Sequence, residues 1–78
     1  MEMKDEILNM LKELRPEYDY EESSDFIEDG LLDSFDVIAL TDMLQEKFGI
    51  VVDGLDIVPE NYCNIDAIEA LVKKSPKR

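Results

Sequence analysis

The chain has 78 residues, 20 of them acidic and 8 basic, for a formal net charge of −12, with 45% hydrophobic residues. One domain of this size has interior enough for a single core and little more, and one cysteine with no histidine excludes an intrachain disulfide framework or histidine zinc site. The charge disfavours nucleic acid and anionic membrane surfaces, which call for clustered lysine and arginine, and favours partners with basic patches.

Acids at Glu2, Asp5 and Glu6 interrupt any secretory signal pattern, and no run approaches the ~18 apolar residues of a bilayer span. The expectation is a soluble, cytoplasmic protein without membrane insertion. Between Pro16 and Glu46 there are eleven acids and no base, while bases gather at Lys4, Lys12 and Arg15 and again at Lys73, Lys74, Lys77 and Arg78. Such an acidic stretch suits a basic partner, although acids also simply keep a small domain in solution.

Taken in order, the first segment from Glu2 to Leu14 carries Met3, Ile7, Leu11 and Leu14 at helical spacing, widened by Leu8 and Met10. Acids at its start and Lys12 and Arg15 at its end suit the helix dipole, and Pro16 stops it. Pro16 to Asp33 is polar and acidic without sustained periodicity. A loop of that length in so small a domain points to function or to hidden helical turns. It reads as a crossover pinned by Phe26, Ile27, Leu31 and Leu32.

The second helix starts at Asp33 or Ser34 and runs to Phe48, with Asp33 as N-cap answered by Asp36 three residues on. Val37, Leu40, Thr41, Leu44 and Phe48 form its buried stripe. Phe35 and Ile38 flank it, and Asp42, Gln45 and Glu46 face solvent. Gly49 is the C-cap. Ile50-Val51-Val52 reads as an extended connector, Asp53-Gly54 as a turn, and Ile57 to Tyr62 as a short helical turn with Pro59 in its first turn. Asn64 caps a last helix from Ile65 to Lys73, and Ser75 to Arg78 form a frayed, flexible basic tail. The fold class expected is all-α, one domain over residues 1–78, with three main helices, one short helix and a long first loop.

Catalysis by this chain is not expected. It has no histidine to act as a general base, and the bundle is too small to enclose a pocket of the usual ~300 Å³. A metal reading lays Asp25 to Asp36 on a twelve-residue calcium loop, with Asp25, Asp29, Gly30, Asp33 and Asp36 at positions 1, 5, 6, 9 and 12. Ile27 at position 3 and the short Asp36 at position 12 are defects in that match. Cys63 and Tyr62 read as packing.

The stretch Glu28 to Asp36 places a glycine turn, two leucines and an acid–serine pair just before the best-patterned helix. If Asp33 does the capping, the Ser34 hydroxyl is free at the first helical position, where the amides favour a negative group. Local physics leaves two readings open: an ordinary cap, or a serine modified with a phosphate-containing group.

Gly30-Leu31-Leu32-Asp33-Ser34-Phe35-Asp36 closely resembles the phosphopantetheine attachment motif of acyl carrier proteins, whose core is a glycine in an acidic loop, a leucine, then Asp-Ser-Leu. The resemblance extends over essentially the whole chain in length, acidity and helix order. It implies a stand-alone carrier in which Ser34 accepts 4′-phosphopantetheine from coenzyme A, with Asp33 at the site recognised by the phosphopantetheinyl transferase. Two departures are Phe35 in place of the usual leucine and Asp42 where fatty-acid carriers often expose an apolar contact. With the segment Ile57 to Ile65, these bring the chain nearer to D-alanyl and related aminoacyl carrier proteins. The resemblance then implies a monomer that is loaded by an adenylating ligase and unloaded by an acyltransferase. Phe35 and Ile38, ringed by Asp36, Asp42 and Glu46, would form the docking face for a partner's basic patch. The competing expectations are an acidic helical adaptor without a prosthetic group and a divalent-ion loop at Asp25 to Asp36.

Overall fold

Three α-helices form where the apolar stripes lie: α1 (Met3–Leu14), α2 (Ser34–Phe48) and α3 (Ile65–Lys74). The computed structural model describes residues 2–78. α1 buries Ile7, Met10 and Leu11, α2 buries Val37, Leu40, Thr41 and Leu44, and α3 buries Ile68, Leu71 and Val72. α1 packs against both other helices, so the three faces close on one core. The radius of gyration, 11.4 Å, matches the ~11.5 Å expected of a compact domain of this length. No helix among the described residues is long and apolar enough to cross a membrane.

Helix ends follow local chemistry. Asp33 caps α2, Asn64 Oδ1 accepts from the Ala67 amide at 2.7 Å to cap α3, and Gly49 ends α2 in the left-handed conformation at φ 62°. Where the sequence predicts a short helix at Ile57 to Tyr62, the chain makes two three-residue 3-10 turns, Gly54–Asp56 and Pro59–Asn61. Pro59 has no amide to donate and the segment is too short for a second α-turn. It is tied down by Tyr62, whose hydroxyl meets that of Thr41 in the core, while Thr41 Oγ1 lies 2.8 Å from the Val37 carbonyl.

Residues 15–33 contain no helix but are not loose. The Tyr20 ring is 2% exposed, packs edge-on against Phe26 at 5.3 Å, and donates its hydroxyl to the Arg15 carbonyl at 3.0 Å. Phe26 donates its own amide to the Cys63 carbonyl at 2.6 Å. That bond sews the crossover to the segment before α3.

The chain end also differs from the expected frayed tail. Val51 donates to the Pro76 carbonyl at 2.9 Å and Arg78 to the Gly49 carbonyl at 3.0 Å, making a single antiparallel bridge between Ile50 and Lys77. Among the described residues this bridge is not extended into a strand. The connector alternates accordingly, with Ile50 and Val52 buried and Val51 exposed. Gln45, expected in solvent, accepts from the Val52 amide at 3.0 Å and holds that connector to α2.

Candidate functional site

The site is built from the turn that precedes α2. Asp25 Oδ1 accepts from the amides of Ile27 and Glu28 at 3.0 Å, nucleating one helical turn. Gly30 ends that turn at φ 76°, with its amide on the Ile27 carbonyl at 3.1 Å and the Leu31 amide on the Phe26 carbonyl at 2.8 Å. This is a Schellman closure, and its apolar partners, Phe26 and Leu31, are both buried in the core. Leu32 is buried beside them and donates to the same Phe26 carbonyl at 3.1 Å. Two leucines thus anchor the chain immediately before the helix, which sets where α2 begins.

The capping box is complete. Asp33 Oδ1 accepts from the Asp36 amide at 2.9 Å, and Asp36 Oδ2 accepts from the Asp33 amide at 3.3 Å. Ser34 is then the first helical residue and is exposed. Asp33, also exposed, does the capping, so the serine side chain is not needed for it. The Asp36 amide is the main cause holding the Asp33 carboxyl below its ordinary range, with smaller help from the Phe35 amide and the Arg15 charge.

Asp36 contradicts one expectation. Predicted on the rim of a docking face, it is 6% exposed and directed inward. Arg15 Nε donates to its two oxygens at 3.1 and 3.2 Å. A carboxylate at the third helical position turns back to the cap, and burial there requires a cation. The hydrogen bond to Asp36 is also the main reason the Arg15 guanidinium is held more firmly in its charged form. Sequence reasoning assigned Arg15 only to the end of α1. The signal that could have found this partner is that Arg15 is the only base between Lys12 and Lys47.

The other predicted docking residues stand apart from Asp36. Phe35 is 81% and Ile38 60% exposed, so Phe35 does not pack on the crossover. Asp42 and Glu46 are exposed, and they line a groove toward α1 with Glu6, Glu13 and Met43. Ile38 instead borders a cleft beside Ser34 of about 430 Å³, walled by Ile27, Leu32, Val37, Ile57 and Val58. The sequence predicts a bundle too small for such a space; the cleft forms because the crossover and the 3-10 turns flank α2 without filling the gap. The contribution of residues 57–59 to its wall was not foreseen, because it depends on how that segment is folded back by Tyr62.

The carboxylates of the supposed calcium loop are used locally. Asp25 caps its own turn, Asp29 accepts from the Ser23 hydroxyl at 2.6 Å, and Asp36 faces Arg15. Among the described residues no three His, Cys, Asp or Glu side chains are grouped so as to hold a metal ion. Cys63 is half-buried, with its thiol directed at the Glu60 carbonyl at 3.3 Å. Comparison with known proteins finds no matching family model, no matching curated protein and no matching solved structure.

Proposed function

We propose that this chain is a carrier protein of the acyl carrier type, with 4′-phosphopantetheine attached through a phosphodiester to Ser34. The observation that carries the reading is the division of labour at the start of α2: Asp33 caps, and the adjacent Ser34 is exposed at the first helical position. Amides of a first helical turn have no intrahelical partners and favour a negative group. The residues therefore fit a phosphate-linked arm. The cleft beside Ser34 offers the apolar side chains of Ile27, Leu32, Ile38 and Ile57 along which such an arm or its cargo could lie. The order of helix, long crossover, motif helix, 3-10 turns and last helix supports an acyl-carrier-like fold.

When bound, the arm supplies a terminal thiol that holds an activated acyl or aminoacyl group as a thioester. The chain supplies the anchor and the surface. Phe35 and Ile38 form an exposed apolar pair on α2, with Asp42 and Glu46 further along the same helix as acidic contacts for a basic partner surface. Asp36 has no place in that surface. The partners proposed are a phosphopantetheinyl transferase, which recognises Asp33 and Ser34, and an adenylating ligase and acyltransferase of the D-alanyl or aminoacyl type.

The test is incubation with coenzyme A, magnesium and a broad-specificity phosphopantetheinyl transferase. The intact mass should rise by one phosphopantetheine per chain. An unchanged mass, with a known carrier labelled in parallel, contradicts the proposal.

A further inference from the structure

We propose that Arg15 is the positioning residue for this modification: by pairing with the buried Asp36 carboxylate, it offsets one of the negative charges that the phosphodiester forming on Ser34 joins at the first turn of α2. The inference rests on the reading of Ser34 given above. It concerns how the chain makes that serine a competent acceptor.

Three negative groups would share the first turn of α2 once Ser34 is modified: Asp33, Asp36 and the phosphodiester. The unpaired amides of a helix N-terminus amount to about half a positive charge. Alone, they offset too little of that charge, and the remaining negative charge of the carboxylates opposes the arrival of phosphate. Arg15 adds one full positive charge at 3.1 and 3.2 Å from the two oxygens of Asp36. With Asp36 only 6% exposed, water screens that carboxylate poorly, so its compensation falls to the arginine. The Arg15 charge also acts on Asp33, after the Asp36 and Phe35 amides, to keep that carboxyl ionised.

Arg15 is fixed through its backbone, while its partly exposed guanidinium also lies 4.0 Å from a Glu17 carboxylate oxygen. Its amide donates to the Leu11 carbonyl at 2.9 Å, and its carbonyl accepts from the buried Tyr20 hydroxyl at 3.0 Å. No other base occurs between Lys12 and Lys47, so no sequence neighbour can replace it.

In the transfer step, Ser34 Oγ loses its proton to a base on the transferase. An Oγ lone pair forms the bond to the phosphorus that bears the pantetheine. The bond from that phosphorus to the bridging pyrophosphate oxygen breaks, and its electron pair leaves with adenosine 3′,5′-bisphosphate. A neutral hydroxyl becomes a negatively charged diester. Compensation at this turn is therefore needed as charge arrives, and much less in the encounter with the transferase, so loss of Arg15 should lower kcat and leave KM for the carrier nearly as it was.

The experiment compares wild type, Arg15→Gln, Asp36→Asn and the double variant in transferase kinetics with coenzyme A, each checked by circular dichroism. Charge compensation predicts that Arg15→Gln lowers kcat by about tenfold, a size typical of one close charge near a reacting group. It also predicts that Asp36→Asn raises kcat and that the double variant returns to near the wild-type rate. A purely mechanical tie between α1 and α2 predicts instead that both single variants are slow and the double variant is no better; that result overturns the proposal. Wild-type kcat in Arg15→Gln overturns it too. If Arg15→Gln does not fold, Asp36→Asn and the double variant still decide, since neither leaves an unpaired buried carboxylate. Failure of wild type to be labelled at all refutes the reading of Ser34, and so is distinguishable from failure of the role given to Arg15.

Discussion

Removing one hydroxyl at a time from the Thr41–Tyr62 pair should give two unequal losses. Thr41 Oγ1 lies 2.8 Å from the Val37 carbonyl, which can only accept, so the single threonine proton goes there. The Tyr62 hydroxyl must then be the donor to Thr41 Oγ1. Tyr62 is fully buried and Thr41 is 4% exposed. Tyr62→Phe removes the donor and leaves Thr41 still bonded to Val37, a loss of one net hydrogen bond or ~0.5–1.5 kcal/mol. Thr41→Val strands the tyrosine hydroxyl in the core without an acceptor, which costs ~1–3 kcal/mol. In the double variant both polar groups are gone and the shapes are nearly kept, so its loss should fall short of the sum of the two. Urea unfolding followed by circular dichroism measures all four proteins. In a domain this small each kcal/mol corresponds to a shift in Tm of about 4–8 °C. Equal losses in the two single variants would refute the assigned direction of the bond, and a strictly additive double variant would refute the bond itself. The pair matters beyond stability, because it holds residues 57–59 against α2 and so keeps the wall of the cleft beside Ser34 in place.

Gly30 adopts φ 76° with nothing within 4 Å of where a Cβ would lie, so Gly30→Ala meets only backbone strain, about 1–2 kcal/mol. Gly30→Asn should cost less, and equal denaturation midpoints for Gly30→Ala and wild type contradict the left-handed closure. Phe35 is 81% exposed, so Phe35→Ala should shift stability by no more than about 0.5 kcal/mol while slowing loading by the partner ligase. A loading rate equal to wild type removes Phe35 from the docking surface. The Tyr20 phenol is pushed up to about 12, chiefly by burial and then by Glu17. Its folded pKa lies above the unfolded value of ~10, so its contribution to stability is fully present below about pH 10 and is lost as pH rises through the folded value. Tyr62 is raised as well, chiefly by burial, and acts in the same direction. Tyr20→Phe should therefore flatten the alkaline decline in urea stability, and an alkaline profile identical to wild type would contradict the shift.

How far the sequence carries depends on the range of the interaction concerned. The three helices were legible because their signals are local: apolar residues at helical spacing, Asp33 and Asn64 as caps, Gly49 as a stop. The capping box at Asp33 and Asp36 was legible for the same reason. The inward turn of Asp36 was not, because its partner Arg15 lies 21 positions away and is joined to it only when α1 meets α2. The pairing of Arg78 with Gly49 and the hold of Gln45 on Val52 are likewise contacts between segments whose compositions suggest a free tail and a solvent-facing residue. In the crossover, Phe26, Leu31 and Leu32 were recognisable as anchors, yet the Asp25 cap and Gly30 closure that organise them depend on backbone geometry shared by many acidic loops. At the candidate site, Ser34 and Asp33 could be picked out from motif and capping logic. The pairing of Arg15 with Asp36 is signalled only by Arg15 being the one base between Lys12 and Lys47.

Attachment of the phosphopantetheine arm at Ser34 can be located to the residue. Peptide mapping of the transferase-treated protein by tandem mass spectrometry tests it most directly. The expected result is one modified peptide, with the group on Ser34, and a Ser34→Ala protein that keeps its helical circular dichroism signal and gains no mass. A chain that takes up no phosphopantetheine while a known carrier does, or one modified at Ser23, Ser24 or Ser75 instead, would contradict it.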